Sequence, residues 1–159
     1  PSLKSWHPDG RWMDVDGVRA HVVRRGNKDL PTLVLIHGFL MSSWAWRRNI
    51  DALSGEFDVI APCLRGFGWS ERDNGRHDLP GLGQFVLSML DGLDVDRFSV
   101  IGNSLGGALA VWLSRVAPDR VERIGLVDFY QWLGSWSHDL PPCGVGASCA
   151  QAVLRLNSG

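Results

Sequence analysis

The chain has 159 residues, 45% of them hydrophobic, with 16 basic and 17 acidic side chains and a net charge of −1. This length suits one globular domain and is too short for two ordinary ones. Because the charges are balanced and scattered, a nucleic-acid or anionic-membrane partner is not expected. No apolar run is long enough to span a bilayer, and residues 1–11 lack the apolar core of a signal peptide. We therefore predict a cytoplasmic protein without a nucleic-acid or membrane partner.

The elements predicted from apolar patterning begin with a β-hairpin over residues 11–15 and 18–25, turned by Asp16-Gly17. Strands and helices then alternate, and the strands are apolar runs typical of a sheet buried on both faces. In chain order we predict a strand over 33–36, a helix from Ser42 or Ser43 to about 53, a strand over 57–61, a helix over 82–90, a strand over 98–101, a helix over 104–116 and a strand over 121–127. Repeated βα units of this kind predict an α/β fold, with a mostly parallel sheet of about six strands and flanking helices.

The motif Gly102-Asn103-Ser104-Leu105-Gly106-Gly107 joins the predicted strand over 98–101 to the predicted helix over 104–116. A Gly-x-Ser-x-Gly turn in this context is what a nucleophile elbow requires. Serine is a poor nucleophile in water, so an enzyme must hold it exposed, beside a base and beside donors for an oxyanion. Gly102 and Gly106 lack a Cβ and so allow the strand, turn and helix to approach closely. Ser104 is the predicted nucleophile.

Two further motifs follow earlier strands. His37-Gly38-Phe39 comes directly after the 33–36 strand, so the backbone N–H groups of Phe39 and Leu105 are predicted to converge as an oxyanion hole. His37 is either a general base or a residue whose ring holds the loop by hydrogen bonds, and the position of the motif favours the second role. Residues 65–70, Arg-Gly-Phe-Gly-Trp-Ser, lack the third glycine of a phosphate-binding loop and are predicted to order the floor of the site.

These three motifs, in this order, resemble the α/β-hydrolase superfamily of serine hydrolases, in particular small esterases, cofactor-free haloperoxidases and C–C bond hydrolases. The resemblance covers about residues 15–128 and implies an abbreviated α/β-hydrolase sheet, a small-molecule ester substrate and no cofactor. Ser104 argues against the related dehalogenases and epoxide hydrolases, which carry aspartate at that place. Cys63 is a departure, because family members usually carry aspartate there; it is expected to change local hydrogen bonding only.

The family resemblance also implies a triad acid and a histidine, delivered by two further strands that this chain lacks. Asp128, at the end of the sixth strand, and His138 preserve the family's chain order after Ser104. Rigidity is the difficulty, because a loop rich in glycine, serine and proline is a poor mount for a catalytic group. The alternatives are a structural strand-end residue for Asp128 and a solvated loop residue for His138. We predict a catalytic set of Ser104, His138 and Asp128.

The composition changes after residue 133, so we assign residues 1–133 to the hydrolase core and 134–159 to an atypical tail, as expected of a truncated or out-of-frame ending. Residues 147–156 fit a short terminal helix. Truncation would leave the 121–127 strand as an open edge, which the tail covers or a second chain pairs with. We expect a homodimer through this strand, in which a partner subunit's His77 is one candidate base.

The remaining predictions concern the pocket and the thiols. Trp44 and Trp69, with His37 and Gly38, are predicted to bind substrate, although core packing explains the tryptophans equally well. Cysteines 63, 143 and 149 are an odd number without metal-type spacing, so we expect free thiols in a reducing compartment and no metal. The predicted function is a carboxylesterase-like serine hydrolase; the alternative is a catalytically impaired hydrolase-fold remnant or fragment that binds a ligand or partner.

Overall fold

A computed structural model describes residues 4–128 and the backbone of residues 152–155. The elements are β1 Gly10–Val15, β2 Val18–Arg25, β3 Thr32–Ile36, α1 Ile50–Leu53, β4 Asp58–Pro62, α2 Leu79–Asp91, β5 Phe98–Asn103, α3 Leu105–Val116, β6 Val121–Val127 and β7 Ala152–Arg155, with a 3₁₀ turn at Ser43–Trp46. Within this part of the chain no helix is both long and apolar enough to cross a bilayer.

The sheet positions the loops that matter for function. Its strand order is β1-β2-β4-β3-β5-β6-β7. The four central strands β4, β3, β5 and β6 are parallel, whereas β1, β2 and β7 pair antiparallel at the two sides. The predicted α/β fold with a parallel centre is confirmed. Because parallel strands end at one edge of the sheet, His37, Cys63, Ser104 and Asp128 all follow their strands at that edge.

Both faces of the central sheet are buried, as the apolar runs predict. In β3, Val34 and Ile36 pack into the core beneath α2 and α3, while Leu33 and Leu35 face a second cluster on the other side. This alternation is the period-two geometry of a strand. α2 begins at Leu79, earlier than predicted, because Asp78 caps it by accepting a hydrogen bond from the Gly81 N–H at 2.9 Å.

The prediction of one continuous helix from Ser42 or Ser43 to about residue 53 is wrong. It divides into the 3₁₀ turn and the short α1, with Ser42 as the cap of the first piece. Ser43 and Trp46 are both buried. Both buried side chains belong to the 3₁₀ turn, which takes the place of the first part of the predicted helix.

The predicted terminal helix over 147–156 is also wrong for the residues that the structure describes there. Residues 152–155 form β7, antiparallel to β6 with Ala152 opposite Leu126. Pairing supplies hydrogen bonds to backbone groups that an open β6 edge would leave unpaired. Of the two expected outcomes for this edge, coverage by the tail is the one present. The homodimer stays a prediction, although the strand predicted to mediate it is paired with β7.

Candidate active site

Ser104 occupies the turn between β5 and α3 in a backbone conformation that serine rarely adopts. Its φ is 50° and its ψ is −110°. The turn is held from both sides: the Ser104 N–H donates to the Val127 carbonyl at 2.9 Å, and the Ser104 carbonyl accepts from the Gly107 N–H at 2.9 Å. Strain of this type costs about 1–3 kcal/mol and persists only where the surroundings impose it. The side chain remains partly exposed.

The glycines of the elbow are required by close backbone approach. An ideal Cβ at Gly102 would lie 2.0 Å from the Gly106 carbonyl oxygen, and one at Gly106 would lie 2.2 Å from the Ile36 carbonyl oxygen. No side chain fits at either position unless the backbone moves. β5, α3 and the end of β3 are therefore in direct backbone contact around Ser104, as the sequence predicts.

Two backbone donors lie on the segments that meet at Ser104. Within residues 4–128, the N–H groups of Phe39 and Leu105 donate to no acceptor. Their segments touch, because an ideal Cβ at Gly38 would lie 2.8 Å from the Asn103 Oδ1 atom. These are the two groups that the sequence assigns to an oxyanion hole.

The His37 ring supports the loop after β3. It is fully buried. The Leu64 N–H donates to its Nε2 atom at 3.0 Å, so that nitrogen is unprotonated and the Nδ1–H donates to the Gly38 carbonyl at 2.8 Å. Burial lowers the pKa of His37 to about 4, although the Gly38 hydrogen bond opposes this shift. With both nitrogens engaged, the ring is not a general base, and it offers no surface to a substrate.

The buried histidines predict a loss of stability in mild acid. Burial lowers the pKa of both His21 and His37 to about 4, and His7 adds to the effect at His21. In the unfolded chain both titrate near 6.5, so between about pH 6.5 and 4 the unfolded state binds protons that the folded state does not. Stability is therefore complete above this window and falls through it, by up to about 1.4 kcal/mol per pH unit for His37. Urea unfolding at pH 7, 6, 5 and 4.5 measures the slope.

The His21→Gln variant is the control for this pH dependence. Removing one buried histidine is expected to make the free energy of unfolding fall less steeply with decreasing pH, while the pH range over which it falls stays the same. The hydrogen bond from Arg65 lowers the pKa of Asp73 from 3.8 to about 2, so the stability that this carboxylate contributes is lost mainly below pH 3.8, beneath the measured range. A free energy of unfolding that is flat from pH 7 to 4.5 would contradict the prediction.

Asp128 lies beside the elbow, and its partner is a residue that the sequence analysis did not assign. The Asn103 Nδ2 donates to Asp128 Oδ2 at 3.2 Å. Asn103 thus contacts both the Gly38 loop and the end of β6. Its place as the variable residue in Gly-x-Ser-x-Gly gave no signal for this role. His138 lies outside the described residues.

Within residues 4–128, no histidine hydrogen-bonds to Ser104 or Asp128. The ring of His77 hydrogen-bonds only within its own loop, where its Nδ1–H donates to the Gly75 carbonyl at 2.8 Å. The rings of His7 and His21 contact residues of the N-terminal segment and of α1, and Cys63 just after β4. The same part of the chain contains no cluster of three His, Cys, Asp or Glu side chains that would hold a metal ion.

An apolar surface lies immediately after the His37-Gly38 segment. Its members are exposed: Phe39, Leu40, Met41 and Trp44. We call these four residues the apolar shelf. Phe39 is 63% exposed and rests edge-on against Phe67, while the Arg47 guanidinium lies 3.5 Å from the centre of the Trp44 ring. The shelf is therefore available to an apolar group beside the elbow.

Trp69 belongs to a different cluster. Its ring packs against His21 and Trp6, and its carbonyl accepts a hydrogen bond from Trp12. Nothing in these contacts brings its ring to Ser104. Of the two interpretations of this tryptophan, core packing is the one that the contacts favour.

Comparison with known proteins agrees with this α/β architecture. A model of the α/β-hydrolase fold matches residues 31–143. A soluble epoxide hydrolase from Corynebacterium sp. (strain C12) is 38% identical over 114 residues, which make up 72% of this chain and 39% of that protein. A 2-hydroxy-6-oxo-2,4-heptadienoate hydrolase from Pseudomonas putida is 36% identical over 124 residues, 74% of this chain and 44% of that protein.

Among solved structures, the enol-lactonase from Burkholderia xenovorans LB400 superposes with a TM-score of 0.68 at 30% identity, over 72% of this chain and 45% of that one. The chain belongs to the α/β-hydrolase fold family. It spans about two fifths of the length of the curated relatives that it matches.

Proposed function

We propose that this chain acts as a serine hydrolase on small carboxylic esters, through an acyl-enzyme on Ser104. The observation that carries the proposal is the Ser104 backbone, at φ 50° and ψ −110° on a residue that has a Cβ. Ser104 is partly exposed, and two backbone N–H groups on the segments that meet there, those of Phe39 and Leu105, have no acceptor within residues 4–128. Such an arrangement suits attack on a carbonyl carbon, since free backbone N–H groups beside the nucleophile can stabilise the oxyanion that forms.

In the proposed reaction the Ser104 Oγ attacks the ester carbonyl carbon, and the electron pair of the C=O bond moves to the oxygen. The N–H groups of Leu105 and Phe39 donate to that oxyanion, each worth about 10²–10³ in rate. The hydroxyl proton passes to His138, which returns it to the leaving alkoxide as the C–O bond breaks. Water then attacks the acyl-enzyme by the same route and releases the acid and free Ser104.

The general base and the acidic residue that orients it are assigned by elimination. The described histidines have other partners, so the proposal gives the base role to His138 and the orienting role to Asp128. Ten residues separate the two, enough to span up to about 33 Å when extended. The hydrogen bond from Asn103 holds the Asp128 carboxylate at the edge of the sheet where Ser104 lies.

The His138→Ala variant tests this assignment. We expect its kcat on a small ester to fall by about 10³-fold or more, since the loss of any triad member removes most of the chemical catalysis. Hydrolysis of p-nitrophenyl acetate at pH 8 measures it, with circular dichroism to check the fold. The His77→Ala variant is the comparison: a loss there, with His138→Ala unchanged, would move the base to His77 of a second chain.

Ser104 favours ester cleavage over epoxide opening, although some relatives are named epoxide hydrolases. A carboxylate that attacks an epoxide forms an ester, which water can cleave. A serine oxygen that attacks an epoxide carbon would form an ether, which has no carbonyl for water to attack. A lactone, in contrast, is an internal ester, and the similarity to an enol-lactonase supports carbonyl chemistry.

The second candidate function is a hydrolase-fold remnant that binds a ligand or partner. The observation in its favour is the lack, within residues 4–128, of a histidine hydrogen-bonded to Ser104. A fluorophosphonate separates the two candidates, because it forms a bond with an activated serine and releases fluoride. A fast, single adduct on Ser104, located by intact mass and peptide mapping, would support the hydrolase. No adduct on the folded protein would support the remnant.

Three broader proposals accompany this function. The apolar shelf, including Trp44, is proposed to receive the apolar part of the substrate. The protein is proposed to be cytoplasmic, and the buried free thiol of Cys63 suits a reducing compartment. A homodimer is proposed as well, and a monomeric mass at micromolar concentration by light scattering would contradict it.

A further inference from the structure

The loop that carries the Phe39 amide is held at both ends by two consecutive residues. At its start, the Leu64 N–H donates to His37 Nε2 at 3.0 Å. At its end, the Ser43 N–H donates to the Cys63 sulfur at 3.5 Å, and the Ser43 Oγ lies 3.3 Å from the same sulfur. Cys63 and Leu64 directly follow β4, so one rigid strand end fixes both ends of the loop.

The contact between Ser43 and Cys63 is buried and directional. Both side chains are fully buried. The Ser43 Oγ already accepts a hydrogen bond from the Trp6 indole at 3.0 Å, which leaves its own hydrogen free to point at the sulfur. The sulfur also lies 3.6 Å from the His21 Nδ1 atom. A side chain without an acceptor at position 63 would leave the buried Ser43 N–H unpaired, which is costly.

Between these two ends the loop has little else to hold it. Within the described residues, its one internal backbone hydrogen bond runs from the Met41 N–H to the Gly38 carbonyl at 3.2 Å. Leu40 has a φ of 56° and is 79% exposed. The position of the Phe39 amide therefore depends on the anchors at His37 and Ser43.

We propose that Cys63 is a positioning residue for the oxyanion hole, whose sulfur anchors Ser43 and thereby fixes the Phe39 N–H against Ser104. The proposal depends on the function proposed above, since the Phe39 amide matters for catalysis only if Ser104 attacks a carbonyl carbon and an oxyanion forms. It assigns Cys63 no contact with substrate. Displacement of one group by about 1 Å is enough to cost about 10²-fold in rate, so a loosened anchor acts on the chemical step.

The Cys63→Ala and Cys63→Ser variants form the matched pair, because the two side chains differ by one oxygen atom. Alanine removes the acceptor, whereas serine keeps one. We expect Cys63→Ala to lower kcat on p-nitrophenyl acetate by about tenfold or more, with KM within about twofold of the wild type. Cys63→Ser is expected to keep kcat within about threefold. The fluorophosphonate labelling rate at Ser104 should follow the same order.

A core variant in α2, outside the loop and its two anchors, separates positioning from general instability. Val86→Ala in α2 removes buried methyl groups and is expected to lower the unfolding midpoint without changing kcat. A kcat in Val86→Ala that falls as in Cys63→Ala would overturn the positioning role. Equal kcat values in Cys63→Ala and Cys63→Ser would overturn it too.

Hydrogen exchange of the Ser43 amide supplies a measurement that does not need activity. The amide should be protected in the wild type and in Cys63→Ser and should exchange faster in Cys63→Ala. If the wild type fails to react with the fluorophosphonate, the proposed function fails while this comparison still decides the anchor. Protection lost only in Cys63→Ala supports it, and equal protection in both variants overturns it.

Discussion

Replacing Ser104 by glycine is expected to raise the free energy of unfolding by about 1 kcal/mol while abolishing reaction at this position. The φ of 50° and ψ of −110° are freely accessible to glycine but strained for serine. Relief of about 1–3 kcal/mol of strain outweighs the roughly 0.5–1 kcal/mol of extra backbone entropy that glycine loses on folding. Urea unfolding measures the stability, and fluorophosphonate labelling with ester hydrolysis measures the loss of the nucleophile.

The Ser104→Ala variant is the control that separates the hydroxyl group from the strain. Alanine keeps the Cβ, so its free energy of unfolding should stay within about 0.5 kcal/mol of the wild type. Both variants should lose the adduct, and kcat should fall by about 10⁴-fold or more. A Ser104→Gly protein less stable than Ser104→Ala would show that the turn is not strained.

The Gly102→Ala variant is expected to lose about 3 kcal/mol of stability or more, at the upper end of the range for an overpacked core. The new Cβ would lie 2.0 Å from the Gly106 carbonyl oxygen and 2.5 Å from the Gly107 nitrogen. Both are backbone atoms at the start of α3, so relief requires the helix to move away from β5. A single domain has only about 5–15 kcal/mol of stability in total. Urea unfolding of purified protein gives the free energy directly.

Two other glycines supply a graded comparison. A Cβ at Gly55 would meet nothing within 4 Å, so Gly55→Ala should change stability by less than about 1 kcal/mol. A Cβ at Gly38 would lie 2.8 Å from the end of the Asn103 side chain, which can rotate, so its loss should be intermediate. If Gly102→Ala fails to accumulate as folded protein, the Gly38→Ala and Gly55→Ala pair still tests the ranking. Equal effects at Gly102 and Gly55 would contradict it.

The sequence predicted local structure correctly where turn residues or regularly spaced buried residues define it. The hairpin turn at Asp16-Gly17 is one case, because both residues adopt the positive φ that a two-residue turn requires. β3 is another, since its apolar residues face two cores in alternation. The elbow was predictable because its glycines and serine form one short motif between a strand and a helix, although Gly106 also packs against the distant Ile36 carbonyl.

Contacts between distant segments decided the rest. Residues 152–155, Ala-Val-Leu-Arg, suit a helix or a strand, and the free edge of β6 selects the strand. The role of His37 was open until the Leu64 N–H, 27 residues away, was found on its Nε2 atom. The place of Trp69 among His21 and Trp6 likewise depends on how the hairpin packs.

The sequence by itself determined the α/β class and most of the order of the elements, and it predicts Ser104 as the nucleophile. Each of these depends on periodic burial or on a short motif, and both are encoded by neighbouring residues. Only the tertiary structure decided which groups pair near the ends of the strands. The Asn103 side chain donates to Asp128, the Leu64 N–H donates to His37, and the Ser43 N–H donates to the Cys63 sulfur. Such pairs form because parallel strands end at one edge of the sheet, which brings together residues that the sequence holds far apart.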